Sequence, residues 1–186
     1  MASENFKAKD ISLRIQKKLL SRMYNKSTLK LLIDDRSAAV LDNTYKLFKQ
    51  YTCNKKDAEK LIKCIIKTII KIGILYRNDQ FTNNEMKTAS KLRFNFQKVL
   101  MTIISFYELE FSYDYNYLCI LFNDLHTNLR LLIQNHLTDK SLCRINHVFY
   151  FCNRKEFLDE IFRKDSVYRE IMDKIVNDLN KISDNN

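Results

Sequence analysis

The most informative pattern of apolar and polar positions is the segment EKLIKCIIKTIIKIGILYRND, residues 59–79. Isoleucine and leucine fill most of its positions, but Lys60, Lys63, Lys67 and Lys71 interrupt them at helical spacing. At about 100° per residue, the four lysines fall within roughly 80° of one another, and apolar residues cover most of the remaining circumference. The pattern predicts a helix that is surrounded on several sides, with its lysines leaving along one side.

Gly73 lies near the end of this predicted helix. Because glycine in a helix costs about 1 kcal/mol relative to alanine, its presence indicates the close approach of a neighbouring helix. Periodicity leaves open whether every apolar face of the helix contacts protein or whether some face a ligand.

Residues that commonly cap helices precede most of the periodic apolar segments. Thr82 and Glu85, in TNNE, have the spacing of a capping box, and Asn153 and Glu156, in NRKE, share it. Ser27, Asp34, Asn54 and Thr138 are placed as single N-caps. Together these patterns predict seven or eight helices, at 8–24, 27–33, 36–52, 55–76, 83–107, 113–136, 139–151 and 155–182, the last broken near Asp165.

The composition favours an all-α fold. The 186 residues include one glycine and no proline, where ordinary usage would give about thirteen and nine. Turns between strands mostly use these two residues, so a sheet is not expected. With 46% apolar residues the chain can bury a core. We therefore predict one domain, a bundle of about seven helices whose sequence neighbours pack antiparallel through short loops.

Positive charge is concentrated in the first half of the chain. Residues 1–98 contain 22 Lys and Arg against 9 Asp and Glu, a net charge of +13, and residues 99–186 contain 10 against 13, a net charge of −3. This asymmetry indicates an anionic partner, either nucleic acid or acidic lipid, unless it reflects lysine-rich codon usage. No zinc-finger or RNA-recognition motif is present, so nucleic acid is not expected among the partners.

Neither a metal site nor a catalytic site is predicted. Cys143, His147 and Cys152 have irregular spacing for zinc, and there is no phosphate-binding loop or nucleophile elbow. The five cysteines include no CxxC pair, and neither a signal peptide nor a transmembrane segment is recognisable. We expect a cytoplasmic protein with reduced thiols that is not an enzyme and binds no cofactor.

Two further sets of basic residues are candidates for contact with anions. The first predicted helix, DISLRIQKKLLSRMYNK, is basic and amphipathic, which suits a membrane surface or a partner groove, or an ordinary packed helix with a solvated face. Arg77 and Arg93 lie at the same end of the bundle if their helices pair antiparallel through residues 78–82. Guanidinium groups there would bind phosphate, or they are simply solvated.

Beyond these patterns, the chain resembles the TIPE family, the proteins related to tumour necrosis factor alpha-induced protein 8. The resemblance extends from about Leu13 to Ile182, nearly the whole chain. It rests on QKKLLSRM (16–23), LIDDRSAAVLDNTYKLFKQYT (32–52), KIGILYRNDQF (71–81), MTIISFYELEFSYD (101–114) and HLTDKSLCRINHVF (136–149).

The resemblance implies a domain like a death-effector domain in mirror topology, with a central hydrophobic cavity for acyl chains and a basic entrance for phosphoinositide headgroups. It divides the chain into a leading helix, residues 1–26, and a helical TIPE homology domain, residues 27–186. The site residues it implies are the headgroup-binding Lys26, Arg77 and Arg93, the membrane-docking Lys17, Lys18 and Arg22, and the cavity-lining Ile62, Ile66, Ile69 and Ile70.

The function implied by the resemblance is that of a phosphoinositide-binding adaptor, with lipid transfer as an extension, in apoptosis, inflammation, immune signalling or phosphoinositide signalling. Its expected partners are phosphoinositides, the anionic inner face of the plasma membrane and signalling proteins, and the chain is expected to be a monomer. The alternative is a protein–protein interaction module of the apoptosis machinery without lipid binding, its cavity filled by side chains such as Phe106, Phe122 or Phe149.

Overall fold

A computed structural model describes residues 6–20, 32–109 and 112–183. These residues form eight α-helices and no β-strand, which confirms the predicted all-α class. The helix predicted at 27–33 lies outside the described residues except for a bend at 32 and 33. The helices are α1 Ala8–Leu20, α2 Asp35–Thr52, α3 Lys55–Arg77, α4 Asn83–Glu108, α5 Tyr115–Ile133, α6 Asp139–Cys152, α7 Lys155–Phe162 and α8 Arg169–Ser183.

Side-chain caps begin several helices where the sequence predicts them. The carboxylate of Asp34 accepts a hydrogen bond from the backbone N–H of Ser37 at 2.8 Å, at the start of α2. The side chain of Asn54 accepts from the first turn of α3, and Thr82 with Glu85 forms the complete capping box of α4. The predicted cap Ser27 lies outside the described residues.

The predicted capping role of Asn153 is wrong. Arg154 occupies the N-cap position of α7 and makes no side-chain cap hydrogen bond. The Nδ2 group of Asn153 instead donates to Asn123 of α5 at 3.2 Å, and this bond holds the side chain toward α5 rather than toward the first turn of α7. Thr138 does hold the N-cap position of α6, again without a side-chain cap hydrogen bond. The break predicted near Asp165 is confirmed, since α7 and α8 are separated by residues 163–168.

Helix α3 forms the centre of the main hydrophobic core. Ile62, Ile66 and Ile70 lie on one side of it and have no solvent exposure. They belong to a cluster that also includes buried residues of α2, α7 and α8. The helix packs against α1, α2 and α6. This arrangement accounts for the nearly complete apolar circumference of the α3 sequence.

The expected antiparallel packing of α3 against α4 is wrong. Helix α4 packs along α5 and against α8, and it makes little backbone contact with α3 despite the short loop between them. Buried side chains of α4 and α5 form a separate small cluster, Val99, Leu121 and Leu125. Because α4 buries its apolar face there, space is left between α3 and α4.

Gly73 does permit a close approach, although not by a helix. A Cβ atom at this position would lie 2.5 Å from Cδ2 of Leu32, whose side chain comes from the segment before α2. Glycine therefore lets the Leu32 side chain rest on the backbone of α3.

Among the described residues, no helix is long and apolar enough to cross a membrane. The mirror death-effector topology and the division of the chain at residue 26 stay predictions.

Candidate functional site

An apolar cavity of about 460 Å³ lies between α3, α4, α5 and α6. The lining residues with polar or sulfur-containing side chains are Thr68, Arg93 and two cysteines. The lining residues are Cys64, Ile65, Thr68, Ile69, Ile72, Ala89, Leu92, Arg93, Phe96, Phe122, Leu125, Leu129, Leu132, Ile145, Val148, Phe149 and Cys152.

The cavity exists because the described core is divided into three clusters. Ile65 and Cys152 belong to the edge of the main cluster around α3. Leu129 and Ile145 belong to a cluster of α5 and α6, and Leu125 to the cluster of α4 and α5. Each cluster contributes a wall, and the space where they would meet is left unfilled. Well-packed interiors rarely leave voids larger than a water molecule, so a space of this size is a candidate binding site.

The cavity opens to solvent between α3 and α4. Ile69 is 39% exposed and Phe96 is 52% exposed, although both line it. Arg93 lines the same opening with an exposed side chain. Among the described residues, no carboxylate forms an ion pair with Arg93. A cation therefore stands at the mouth of an apolar cavity, the arrangement that an amphipathic anion requires.

The four isoleucines predicted to line a cavity divide between two environments. Ile69 lines the cavity described here. Ile62, Ile66 and Ile70 do not; they have no solvent exposure and belong to the main core. The reason is helical phase, because these three share one face of α3, which lies in the main core. The cavity instead uses the next face, with Ile65 and Ile72 beside Ile69.

The predicted headgroup residues are not all brought together. Arg93 lines the cavity mouth. Arg77 ends α3 with an exposed side chain and does not line this cavity. Lys26 lies outside the described residues.

The predicted membrane-docking residues lie on or after α1. Lys17 and Lys18 are exposed near its end, and Arg22 lies outside the described residues. Of the bulky residues proposed to fill a cavity, Phe122 and Phe149 line it without closing it. Phe106 instead packs on Tyr113 and Phe162, with ring centroids 5.8 Å and 6.1 Å away.

A polar cluster ties together the helices that form two walls of the cavity. Glu85, at the start of α4, accepts a hydrogen bond from the backbone N–H of Thr82 at 2.8 Å. His136, which follows α5, lies with its Nε2 atom 3.0 Å from the other carboxylate oxygen of Glu85. The Thr82 N–H above all, and His136 with it, hold the pKa of Glu85 below its ordinary value. The sequence predicts the capping box but not its link to α5.

Burial disfavours the thiolate form of the two half-buried cysteines of the cavity wall. Burial raises the pKa of the Cys152 thiol to about 12. Burial likewise raises the pKa of Cys64. Since the thiolate is the nucleophile and metal ligand, both side chains behave as apolar lining. No group of three or more metal-ligating side chains occurs within the part of the chain that the structure describes.

A second concavity adjoins the first on the neighbouring face of α3. This basic groove has a volume of about 820 Å³ and lies between α1, α3 and α6. It shares Cys64, Thr68 and Val148 with the cavity. Its lining residues are Ile15, Lys18, Leu19, Asp57, Lys60, Leu61, Lys63, Cys64, Lys67, Thr68, Lys71, Leu137, Lys140, Ser141, Cys143, Arg144, His147 and Val148.

The lysines of α3 are evident in the sequence, but the groove that they line is not. The helical spacing of the lysines predicted one basic side of α3, and all four of them line the groove. What periodicity could not reveal is that Lys140 and Arg144 of α6 face the same space.

Comparison with known proteins places this architecture in context. The family described as tumor necrosis factor alpha-induced protein 8-like matches residues 6–186. The protein salivary glands marred of Drosophila melanogaster is 49% identical over 180 residues, which cover 97% of this chain and 96% of that protein. Human tumor necrosis factor alpha-induced protein 8 is 39% identical over 184 residues, covering 99% and 93% of the two chains.

A solved structure with the same fold is the C-terminal region of G-protein interacting protein 1 from Dictyostelium discoideum. It aligns with a TM-score of 0.64 over 84% of this chain and 98% of that chain. The sequence identity is 17%, so this likeness concerns the fold alone.

Proposed function

The chain belongs to the tumor necrosis factor alpha-induced protein 8-like family, also called TIPE, and we propose that it is a phosphoinositide-binding adaptor whose apolar cavity takes acyl chains. Family membership supports a TIPE-type regulator of apoptosis or inflammation. The names of the matching family and relatives state no catalytic activity.

The observation that carries the proposal is the chemistry of the cavity. Its volume of about 460 Å³ lies within the range of about 300–1,000 Å³ usual for small-molecule sites. Side chains such as Ile69, Leu129 and Phe149 can contribute contacts but hardly any hydrogen bonds. A ligand that gains from such a lining has a long apolar part, and an acyl chain gains about 0.8 kcal/mol for each buried CH₂ group.

The cation at the mouth supports an anionic headgroup at the end of the acyl chain. The exposed guanidinium of Arg93 can bind a phosphate with two parallel hydrogen bonds. In the proposal, Arg77 and Lys26 provide further positive charge for the headgroup. The proposal favours a phospholipid over a simple fatty acid, because a multiply charged headgroup offers Arg93 more acceptor oxygens.

A second step of the proposal concerns the membrane. Lys17, Lys18 and Arg22 would dock the protein on the anionic inner face of the plasma membrane, where each well-placed cation contributes about 1 kcal/mol. Salt weakens this attraction but leaves the burial of acyl chains unchanged. Lipid transfer between membranes is an extension of this proposal.

Lipid uptake by a cavity-filling variant tests the proposal. Ala89 lines the cavity from α4, so Ala89→Phe would place a ring in the acyl space. Delipidated protein is incubated with vesicles containing phosphatidylinositol bisphosphate, re-isolated, and examined by native mass spectrometry. We expect wild-type protein to retain lipid and Ala89→Phe to lose at least about nine-tenths of it. Ser90→Phe is the matched control, because Ser90 is exposed on the same helix.

Equal uptake by Ala89→Phe and the wild type would contradict the cavity as the acyl site.

For the headgroup, Arg93→Ala should abolish the preference for phosphatidylinositol bisphosphate over phosphatidylserine in vesicles of equal charge. A preference that survives this substitution would show that Arg93 does not contact the headgroup.

A second candidate function is a protein-interaction module without lipid. The observation that favours it is the exposure of large apolar side chains outside the cavity, with Phe94 56%, Ile120 58% and Tyr150 73% exposed. Failure of delipidated wild-type protein to take up any lipid, together with saturable binding of a signalling protein that Phe94→Ser weakens, would favour this candidate.

A further inference from the structure

The basic groove gathers cations from three separate helices. Lys18 enters from α1, Lys67 and Lys71 from α3, and Lys140 and Arg144 from α6. Among the described lining residues, Asp57 is the one carboxylate. Positive charges that converge on a concavity raise the local concentration of anions more than the same charges spread over a convex surface.

Ion pairs neutralise one end of the groove and leave the other end uncompensated. Near the start of α3, Lys60 pairs with Asp57 at 3.1 Å and Lys63 with Glu59 at 2.6 Å. Further along, no carboxylate of the described residues forms an ion pair with Lys67, Lys71, Lys140 or Arg144. The groove therefore has a distinct cationic end, formed by these four residues.

Lys71 shows the electrostatic consequence at this cationic end. Its ammonium group donates a hydrogen bond to the hydroxyl of Ser141 at 3.1 Å, a neutral partner. Burial first, and then the like charges of Lys67 and Arg144, lower the pKa of Lys71. An anion between α3 and α6 would supply a negative charge that the described residues do not place there.

We propose that the basic groove is a binding site for a small anion that carries several phosphate groups, separate from the mouth of the apolar cavity. Several phosphates are needed to engage cations that project from opposite walls. Arg144 can bind one phosphate through two hydrogen bonds, and the lysines act as point charges. Ser141 and His147, which also line the groove, offer hydrogen bonds to further phosphate oxygens of the ligand.

The shape of the site favours a small ligand over a polymer. A volume of about 820 Å³ falls within the usual range for small-molecule pockets, about 300–1,000 Å³. A single-stranded nucleic acid would need a longer basic track with aromatic platforms for its bases. The described lining of the groove contains no Phe, Tyr or Trp. The same chemistry occurs in soluble inositol polyphosphates and in the headgroups of phosphorylated lipids.

The test is calorimetric titration of the full chain with inositol hexakisphosphate, which has no acyl chain, at 150 mM salt. We expect saturable binding at one site. Lys67→Ala/Arg144→Ala removes one cation from each wall and should weaken binding at least about tenfold, because each charge-assisted hydrogen bond is stronger than a neutral one. Both side chains are exposed, so the variant is expected to fold, and its thermal transition is measured alongside.

The matched control is Lys49→Ala/Lys87→Ala, which removes the same charge from exposed positions of α2 and α4 outside the groove. This control should bind within about twofold of the wild type at that salt, where charges beyond about 8 Å are largely screened. No binding by the wild type, or an equal loss in the control variant, would overturn the proposal.

Two further arms separate this site from the cavity and identify the source of the phosphates. Arg93→Ala should leave binding of inositol hexakisphosphate unchanged, and loss of binding in Arg93→Ala alone would overturn the assignment to the groove. Vesicles containing phosphatidylinositol bisphosphate are then added as competitor. If the vesicles compete with inositol hexakisphosphate, and Lys67→Ala/Arg144→Ala abolishes that competition, the result supports a lipid headgroup as the ligand. If the vesicles do not disturb the binding of inositol hexakisphosphate, the result supports a soluble polyphosphate. None of these arms depends on acyl uptake by the cavity.

Discussion

The apolar cavity and the basic groove occupy adjacent faces of one helix, and they are incomplete in opposite ways. Ile65 and Ile69 of α3 face the cavity, Lys67 and Lys71 face the groove, and Thr68 lies on the boundary. In the cavity, apolar side chains lack packing partners across the open space. At the cationic end of the groove, Lys67, Lys71, Lys140 and Arg144 form no ion pair with a carboxylate of the described residues. A binding site can therefore be recognised by the kind of interaction that the protein does not itself make there.

The largest effect is expected from contrasting the packed face of α3 with its cavity face. Ile66 has no solvent exposure, whereas Ile69 is 39% exposed. Ile66→Ala should lower the free energy of unfolding by about 2–5 kcal/mol, because it removes packed methyl groups and leaves a void. Ile69→Ala removes atoms that already border open space and should cost about 1 kcal/mol or less. Urea unfolding of both variants measures the difference.

Ile66→Val is the control for this pair, since it keeps most of the side chain and should cost about 0.5–1.5 kcal/mol. Similar losses for Ile66→Ala and Ile69→Ala would mean that the cavity face is packed like the core, and the distinction between the two faces would fail.

Thiol chemistry gives the next largest contrast. Cys143 is exposed at the basic groove, while Cys152 lines the cavity and burial raises its pKa to about 12. Compared with an unperturbed thiol, whose pKa is about 8.5, Cys152 has a thiolate fraction at pH 8 that is lower by about three orders of magnitude. Iodoacetamide should therefore modify Cys143 at least about 100-fold faster, as measured by peptide mass spectrometry. In urea the two modification rates should converge. Equal rates in the folded protein would contradict the burial of Cys152 in the cavity wall.

The sequence predicts the elements of the fold well but not the spaces between them. The capping box at Thr82 and Glu85 and the caps Asp34 and Asn54 are local, so short spacings suffice to find them. The capping prediction for Asn153 is wrong because its Nδ2 group donates to Asn123, a residue thirty positions away, and the side chain is thereby held toward α5. Local spacing in the sequence does not reveal a partner that distant.

The candidate sites show the same limit. Periodicity correctly indicated that α3 is apolar on nearly every side, but it could not distinguish Ile66, which packs in the core, from Ile69, which lines the cavity. The choice depends on α4 packing against α5 rather than against α3. Likewise, the lysines of α3 were evident in the sequence, while the approach of Lys140 and Arg144 from α6 is a property of the tertiary structure.

A smaller effect is expected where the helices of two cavity walls are tied together. Thr82→Ala removes the hydroxyl cap of α4 and should lower the free energy of unfolding by about 1 kcal/mol. Thr127→Ala, at an exposed position of α5, is the control and should be nearly neutral.

The fold lowers the pKa of Glu85. The stability that ionised Glu85 contributes is therefore present above the unfolded-state pKa of about 4.3 and is lost as pH falls through the folded-state pKa. Glu85→Gln should thus destabilise at pH 7 and converge with the wild type in acid; a gap that persists unchanged in acid would contradict this assignment.

The smallest effect separates the two ends of the groove and is expected to have opposite signs for one chemical change. Lys67 and Arg144 both lower the pKa of Lys71, so Lys67 lies among like charges. Lys67→Gln should therefore raise the free energy of unfolding by a few tenths of a kcal/mol at low salt. Lys60 pairs with Asp57, so Lys60→Gln should lower it by a similar amount. Both differences should vanish near 1 M salt, where the Debye length is about 3 Å. Urea unfolding of the two variants at both salt concentrations tests this, and a shared sign at low salt would mean that the groove has no uncompensated end. Opposite signs would show that the protein keeps Lys67 at a cost to its own stability, as expected for a residue retained to bind an anion.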